Sequence, residues 1–409
     1  MTSQLYSLLR FVFFIILFAQ FSCGGGDSSS ENPNTGVDTG ADHGQNDDVD
    51  LCSTTLQAHI ESLNDFGNPQ IASWDQINCF TADLVRLDSP QFYKMAHSGD
   101  TVPGTPNTQP APTVLEWIEH WDDIYTSYGA NISPALMSPV PPWVQENGEE
   151  FEYPLSEEIL DQKLRSASLI YINEKLKGRR IRFVQFYPPS VDIQTGNFDD
   201  EESFRAFFTN RIVPEKVIEA TLAELIKAEY YNPFPLEIEI FVKNLNFSGS
   251  LTTSQQIQLA QDIINELHAA VSPIFNGELE VPSVGRYTSF DDEWAVLDFS
   301  AYDLLAFGIF PECNLTITQD YLNLQITNFE AIVERDNIPW IFSEVFINSD
   351  LYTLEGCDQD FSAIEADILN AVVTTMESAY TPPVGAGFDQ YLIETEAARQ
   401  FVVDYFTSR

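Results

Sequence analysis

Tyr302-Asp-Leu-Leu-Ala-Phe-Gly-Ile-Phe-Pro311, then Leu315 to Asp336, then Ile338-Pro-Trp-Ile-Phe-Ser-Glu-Val-Phe-Ile347 is the stretch that decides the fold. Its first and last pieces are apolar runs of strand length. Between them Tyr321, Leu322, Leu324, Ile326, Phe329, Ile332 and Val333 recur at helical spacing. Strand, crossover helix, strand is a βαβ unit, because parallel strands need a long crossover. One carboxylate, Glu344, interrupts the second strand. An uncompensated buried charge is costly, so Glu344 needs a partner or a task.

Outward from this unit the alternation continues. Strands are predicted over 91–97, 130–137, 180–187 and 236–242 and from 278 onward, and helices over 113–128, 155–177, 199–231 and 253–275. Leu56, Ile60, Leu63 and Ile71 predict a short helical cap over 51–85. Strand–helix alternation of this length implies a parallel sheet with helices outside. No Gly-rich phosphate loop follows any strand, which removes the main reason to expect a nucleotide fold or a nucleotide cofactor. Strands centred on Phe92, Ile132, Phe183, Ile238, Leu279, Leu305 and Ile341 make seven, one short of a TIM-type (β/α)8 barrel. The eighth strand is not visible. Beyond Glu344 come an acidic loop, a helix over 361–380, a Pro/Gly loop and a last helix over 393–406. The expectation is a barrel that is truncated, left open, or filled by an N-terminal segment.

The ends and the composition bound the setting. Arg10 precedes an apolar run over 11–21, and Ser22-Cys23-Gly-Gly-Gly follows. This reads as a signal peptide over 1–22, and the cysteine resembles a bacterial lipoprotein processing site, where it becomes lipidated. Residues 24–50 have almost no apolar content and are expected to form an acidic tether before a folded domain over 51–409. The predicted location is therefore the bacterial cell envelope, lipid-anchored at the outer membrane or cell surface. Four further cysteines, Cys52, Cys79, Cys313 and Cys357, suit two disulfides in an exported chain. Three connectivities are possible; Cys52–Cys79 and Cys313–Cys357 are expected. None has metal-ligand spacing, and no metal is expected. With 62 acidic and 19 basic residues the chain carries a formal charge of −43, which makes nucleic acid and anionic membrane surfaces poor partners and otherwise reads as an aid to solubility.

Gly277-Glu-Leu-Glu-Val-Pro-Ser-Val-Gly-Arg-Tyr287, Trp294, Leu297-Asp298 and the run from Tyr302 resemble the fifth and sixth strands of barrel glycoside hydrolases, nearest to β-mannanase-type enzymes of the large retaining clan. In that group the seventh strand ends in Ser/Thr-Glu-Val/Ile. Phe342-Ser-Glu-Val-Phe346 fits, so the resemblance implies that Glu344 is the nucleophile. The family places its acid/base at the end of strand four. Read as 236–242, that strand runs out through Lys243-Asn-Leu-Asn246 without a carboxylate, and Glu237 and Glu239 lie earlier in it. His97 at the end of the first strand, Trp143 and Tyr187 near post-strand loops, and Asn244 are candidates for contacting sugar. Arg286 is a candidate partner for Glu344. His97 reads equally as a satisfied core histidine and Tyr187 as core packing. The expected partner is a β-linked oligosaccharide or polysaccharide. Two other readings stand beside hydrolysis: a catalytically impaired glycan-binding lipoprotein with the same cleft, and a barrel that serves only as a scaffold.

Overall fold

Eight short parallel strands close into a barrel in chain order, each strand hydrogen-bonded to its neighbours in sequence. The computed structural model describes residues 54–63, 72–97, 114–137, 157–185, 198–234, 238–283, 292–309, 315–345, 364–389 and 395–409. Two helices, α1 (Leu56–Ser62) and α2 (Trp74–Thr81), precede the barrel. Then follow β1 (Tyr93–His97), α3 (Val114–Tyr128), β2 (Ile132–Met137), α4 (Glu157–Leu176) and β3 (Arg180–Gln185). Next come α5 (Glu201–Phe207), a π turn (Phe208–Ile212), α6 (Val213–Leu225), β4 (Tyr230–Asn232), α7 (Ile238–Lys243) and α8 (Thr253–Val271). The remainder is β5 (Glu278–Ser283), β6 (Leu304–Ile309), α9 (Leu315–Asp336), β7 (Trp340–Val345), α10 (Glu365–Glu377), β8 (Gly385–Asp389) and α11 (Glu396–Thr407).

The (β/α)8 architecture is present, and the eighth strand is Gly385–Asp389. It pairs with β1 over five residues, from Tyr93 opposite Gly385 to His97 opposite Asp389, and with β7 on its other side. The expectation of an open or filled sheet is corrected. Gly-Ala-Gly-Phe reads as a loop, yet the seam demands a small residue. A Cβ at Gly385 would collide with the Cβ and carbonyl of Tyr93. The last helix follows β8 rather than preceding an eighth strand. Lys94 Nζ on β1 donates to the Phe406 carbonyl at 2.6 Å and so holds the end of α11.

Strand four is a second correction. Residues 236–242 alternate apolar and acidic side chains, which reads as a strand. Ile238–Lys243 is instead helical, and Glu239 and Lys243 pair across one turn. The strand is the three-residue Tyr230–Asn232, which the helical expectation over 199–231 had absorbed all but Asn232 of. Pro233 stops it at once.

Alternation along each strand divides the core in two. Phe183, Tyr231, Leu279, Phe307, Trp340 and Phe388 belong to the layer shared with the helices. Tyr93, Met95, Ile132, Tyr230, Leu304, Ala306 and Ile341 form a separate cluster inside the barrel. Burying each such side chain contributes roughly 1.5–3 kcal/mol. Polar groups lie within the outer layer too: Lys216 on α6, with no exposed surface, donates to Glu219 at 2.9 Å, and the Tyr231 hydroxyl donates to the same carboxylate at 3.1 Å. The segment before β1 is fastened beneath the barrel. Glu229 accepts from the Leu87 and Ile181 amides at 2.8 and 2.7 Å and pairs with Lys175.

Cys79 is half of a disulfide. Cys23, Cys52, Cys313 and Cys357 lie outside the described residues, so the expected pairing and lipidation stay expectations. Among the described residues no helix is long and apolar enough to cross a membrane, and no group of three metal-ligating side chains comes together.

Candidate active site at the carboxyl ends of the strands

In closed α/β barrels chemistry is carried out where the strands end, because the loops that follow converge there. The eight strand ends are His97, Met137, Gln185, Asn232, Ser283, Ile309, Val345 and Asp389. His97 and Asp389 face each other in register across the closing seam.

Strand β7 carries an irregularity just before its end. Phe342 pairs with Phe307 of β6, but the next pair is Glu344 with Gly308, so Ser343 is an extra residue. On the β8 side the register also shifts, between Phe342 and Val345. Phe342 and Val345 both pack in the outer layer although they are three residues apart, an odd separation that puts side chains of a regular strand on opposite faces. A β-bulge resolves this. Bulges of this kind re-aim the residues beside them. Ser343, the inserted residue, is 6% exposed.

Below the ends of β3, β4 and β5 the barrel interior is polar. Ile181 and Phe183 belong to the outer layer, as do Tyr231, Leu279 and Val281, so Arg182, Asn232 and Glu280 lie on the inner face. Arg182 grips Glu280 with two bonds, Nε to one oxygen at 2.6 Å and a terminal nitrogen to the other at 2.5 Å. Bidentate Arg–carboxylate pairs are the stronger ionic contacts. Asn232 approaches the same carboxylate at 3.5 Å and accepts from the Phe234 amide at 2.9 Å, which turns the chain away at the end of β4. Glu280 has no exposed surface. The opposite, amino-terminal end of the barrel is plugged: Ser89 and Tyr93 hydroxyls donate to Glu278 at 2.5 and 3.2 Å. Burial, aided by the Glu278 charge, raises the Tyr93 hydroxyl to about 12.

The corrected β4 changes where the upstream carboxylates stand. Asn232-Pro233-Phe234 contains no acid, so the strand end still lacks one. Glu237 and Glu239, however, come after the strand rather than within it. Glu239 sits in the first turn of α7, 1% exposed, and pairs with Lys243, whose ammonium lies 5.2 Å from the Trp294 ring centroid. Asn244 is exposed in the turn after α7 and so loses the strand-end position on which its expected sugar contact rested. His97 and Glu344 are placed by their strands. Trp143, Tyr187 and Arg286 lie outside the described residues, as does Glu237.

Sequence reasoning missed Arg182, Asn232 and Glu280. A signal was present: Arg182 and Glu280 each interrupt an apolar alternation, and the argument applied to Glu344 holds equally for them.

No family model matches the sequence, and no curated relative does. Solved structures match in fold. The GH113 β-mannanase AaManA from Alicyclobacillus acidocaldarius is 14% identical, covering 78% of this chain and 98% of that one, with a TM-score of 0.47. The endo-β-1,4-mannanase from Thermotoga petrophila is 10% identical over 79% of this chain and 78% of its own, with a TM-score of 0.45. A fungal β-1,4-galactanase is 11% identical over 74% and 90%, also at 0.45. The chain has a diffuse resemblance to these glycoside hydrolases.

Proposed function

We propose that this barrel acts on β-linked glycan at the carboxyl ends of its strands, by a retaining mechanism with Glu344 as nucleophile. The observation that supports the reading is the bulge at Ser343, which puts Glu344 in register with Gly308 at the end of β7. In the first step a Glu344 oxygen bonds to the anomeric carbon while the glycosidic bond breaks, and the leaving oxygen takes a proton from a second carboxylic acid. In the next, that carboxylate removes a proton from water, which displaces Glu344 and regenerates both groups. The two carboxyls of a retaining pair stand about 5–5.5 Å apart. Glu237 and Glu239 are the first carboxylates after β4. Glu239 is already engaged in its ion pair with Lys243, so Glu237 is the better candidate.

A second reading is a glycan-binding relative with impaired catalysis. Asn232-Pro233-Phe234, without an acid at the end of β4, favours it. In both readings the protein is exported and held at the envelope through lipidated Cys23, with residues 24–50 as its tether. The test is incubation of the full chain, purified in detergent, with β-linked manno-, gluco- and xylo-oligosaccharides, following the anomeric configuration of products by NMR. Release of products that keep the β configuration supports the first reading. Products of inverted configuration refute it, and binding heat without product selects the second.

A further inference from the structure

Strand β8 gives the inner face of the barrel a single residue with a side chain. Ala386 and Phe388 belong to the outer layer, so by alternation Gly385, Gly387 and Asp389 hold the inner positions. The two glycines leave that row bare up to its last residue, and the last residue is a carboxylate. On β1, Tyr93 and Met95 lie in the interior cluster, which gives His97 the third inner position. The ladder sets Tyr93 opposite Gly385, Met95 opposite Gly387 and His97 opposite Asp389. An acid and a base thus end neighbouring strands at one level and on one face, with backbones about 4.8 Å apart.

This position borders that of Glu344. On its other side β8 is hydrogen-bonded to β7, with Val345 opposite Phe388. Asp389 therefore stands two residues beyond the level of Glu344, about 6.6 Å nearer the mouth. Cα atoms of β1 and β7 also come within 8 Å of each other across β8. Of the other elements packed against β1, β2 carries no titratable side chain, and α3 lies behind the sheet on the face of Ala96. Lys94, also on the outer face, is engaged by the Phe406 carbonyl. Across the interior, the Arg182 guanidinium is gripped by Glu280. Among the described residues, the charges that the topology sets around the His97 position are therefore carboxylates, Asp389 and Glu344. A carboxylate on one ring nitrogen fixes the orientation of an imidazole, and nearby negative charge favours the imidazolium, which keeps a second N–H to donate.

We propose that Asp389 is a positioning residue of the glycan site: it holds the His97 imidazole by one ring N–H, and the other N–H donates to a hydroxyl of the sugar that Glu344 attacks. This rests on the glycan reading above and adds to it the residue that orients His97.

The experiment uses the full chain in detergent, isotope-labelled at histidine. Five histidine rings are followed by NMR against pH, and His97→Gln identifies the signal of His97. In the parent that ring titrates above the ordinary histidine value of about 6.5, and in Asp389→Asn it falls by about one pH unit or more. Binding heats of β-linked manno-, gluco- and xylo-oligosaccharides are measured on the same proteins. For a sugar that the parent binds, Asp389→Asn and His97→Gln each weaken affinity at least about tenfold. The two changes together cost no more than either alone, because one acts through the other, and Asp389→Glu regains part of the loss. A His97 ring that titrates at its ordinary value in the parent would overturn the proposal, whether or not any variant folds. Losses that add in the double variant would overturn it too. A parent that binds none of the sugars would defeat the glycan reading and the sugar contact with it, and the titration separates that failure from failure of the pair.

Discussion

Changing Arg182 to Met isolates the energetics of the barrel's polar interior. Arg182 is 6% exposed and Glu280 fully buried, and the two are joined by bonds of 2.6 and 2.5 Å. Without the guanidinium, the hydrogen-bond partner left to Glu280 among the described residues is Asn232, at 3.5 Å. Removing one partner of a buried pair leaves an uncompensated charge and costs about 3–5 kcal/mol. With an unfolding entropy of roughly 2.1 cal/mol/K per residue over about 350 residues, each kcal/mol moves the midpoint by somewhat over 1 °C, so a drop of about 4–7 °C is expected. Replacing both residues, Arg182→Met with Glu280→Leu, removes the orphaned charge and restores stability to within about 1–2 kcal/mol of the parent. Urea unfolding with an unchanged denaturant slope reads both effects. A single variant that loses under about 1 kcal/mol would show the pair to be solvated. A double variant as unstable as the single would show that packing, not charge, sets the cost. Either result refutes the reasoning.

Glu224 predicts an acid limb. Burial raises its carboxyl, but Arg86, Lys227 and the Asn276 amide outweigh that and hold it at about 2 from 4.5. A folded value below the unfolded one stabilises above pH 4.5, and that contribution is lost as pH falls toward 2. Allowing for partial exposure it is worth about 1–2 kcal/mol, so Glu224→Gln lowers neutral stability and flattens the acid limb in urea titrations; an unchanged slope would count against it. Gly385→Ala forces a Cβ against Tyr93 at the closing seam and costs about 1–3 kcal/mol or more in thermal unfolding, whereas a neutral outcome would mean that the seam is loose. Cys23→Ala releases the protein from membranes and abolishes incorporation of a labelled fatty acid. Membrane retention of the variant would remove the anchor from the account.

The stretch from Tyr302 to Val345 was legible because its strands are almost wholly apolar and its helix is long. Helix α9, Leu315–Asp336, has the limits its periodicity predicts. Two strands were not legible, each for a physical reason. Tyr230–Asn232 is three residues long, too short for any period to show, and the Tyr231 hydroxyl and Asn232 amide find their partners outside the strand, on Lys216, Glu219 and Glu280. Gly385–Asp389 is Gly-rich because β1 lies close, and glycine beside proline reads as a turn. Residues 236–242 show the converse error, since Ile238–Lys243 alternates like a strand but its Glu239–Lys243 pair has helical spacing. For the site, Ser-Glu-Val marked Glu344 by type. The register shift at Ser343 depends on β6 and β8, which no local pattern displays.

The central claim is that Glu344 forms a bond to sugar. The direct measurement is mass spectrometry of the full chain after incubation with an activated β-glycoside whose 2-hydroxyl is replaced by fluorine, which slows release of a covalent intermediate, alongside Glu344→Gln. The account predicts one added glycosyl mass, mapped to the peptide containing Glu344, absent from the variant together with hydrolysis of unmodified oligosaccharide. Hydrolysis that persists in Glu344→Gln, or a glycosyl group mapped to another carboxylate, would contradict it.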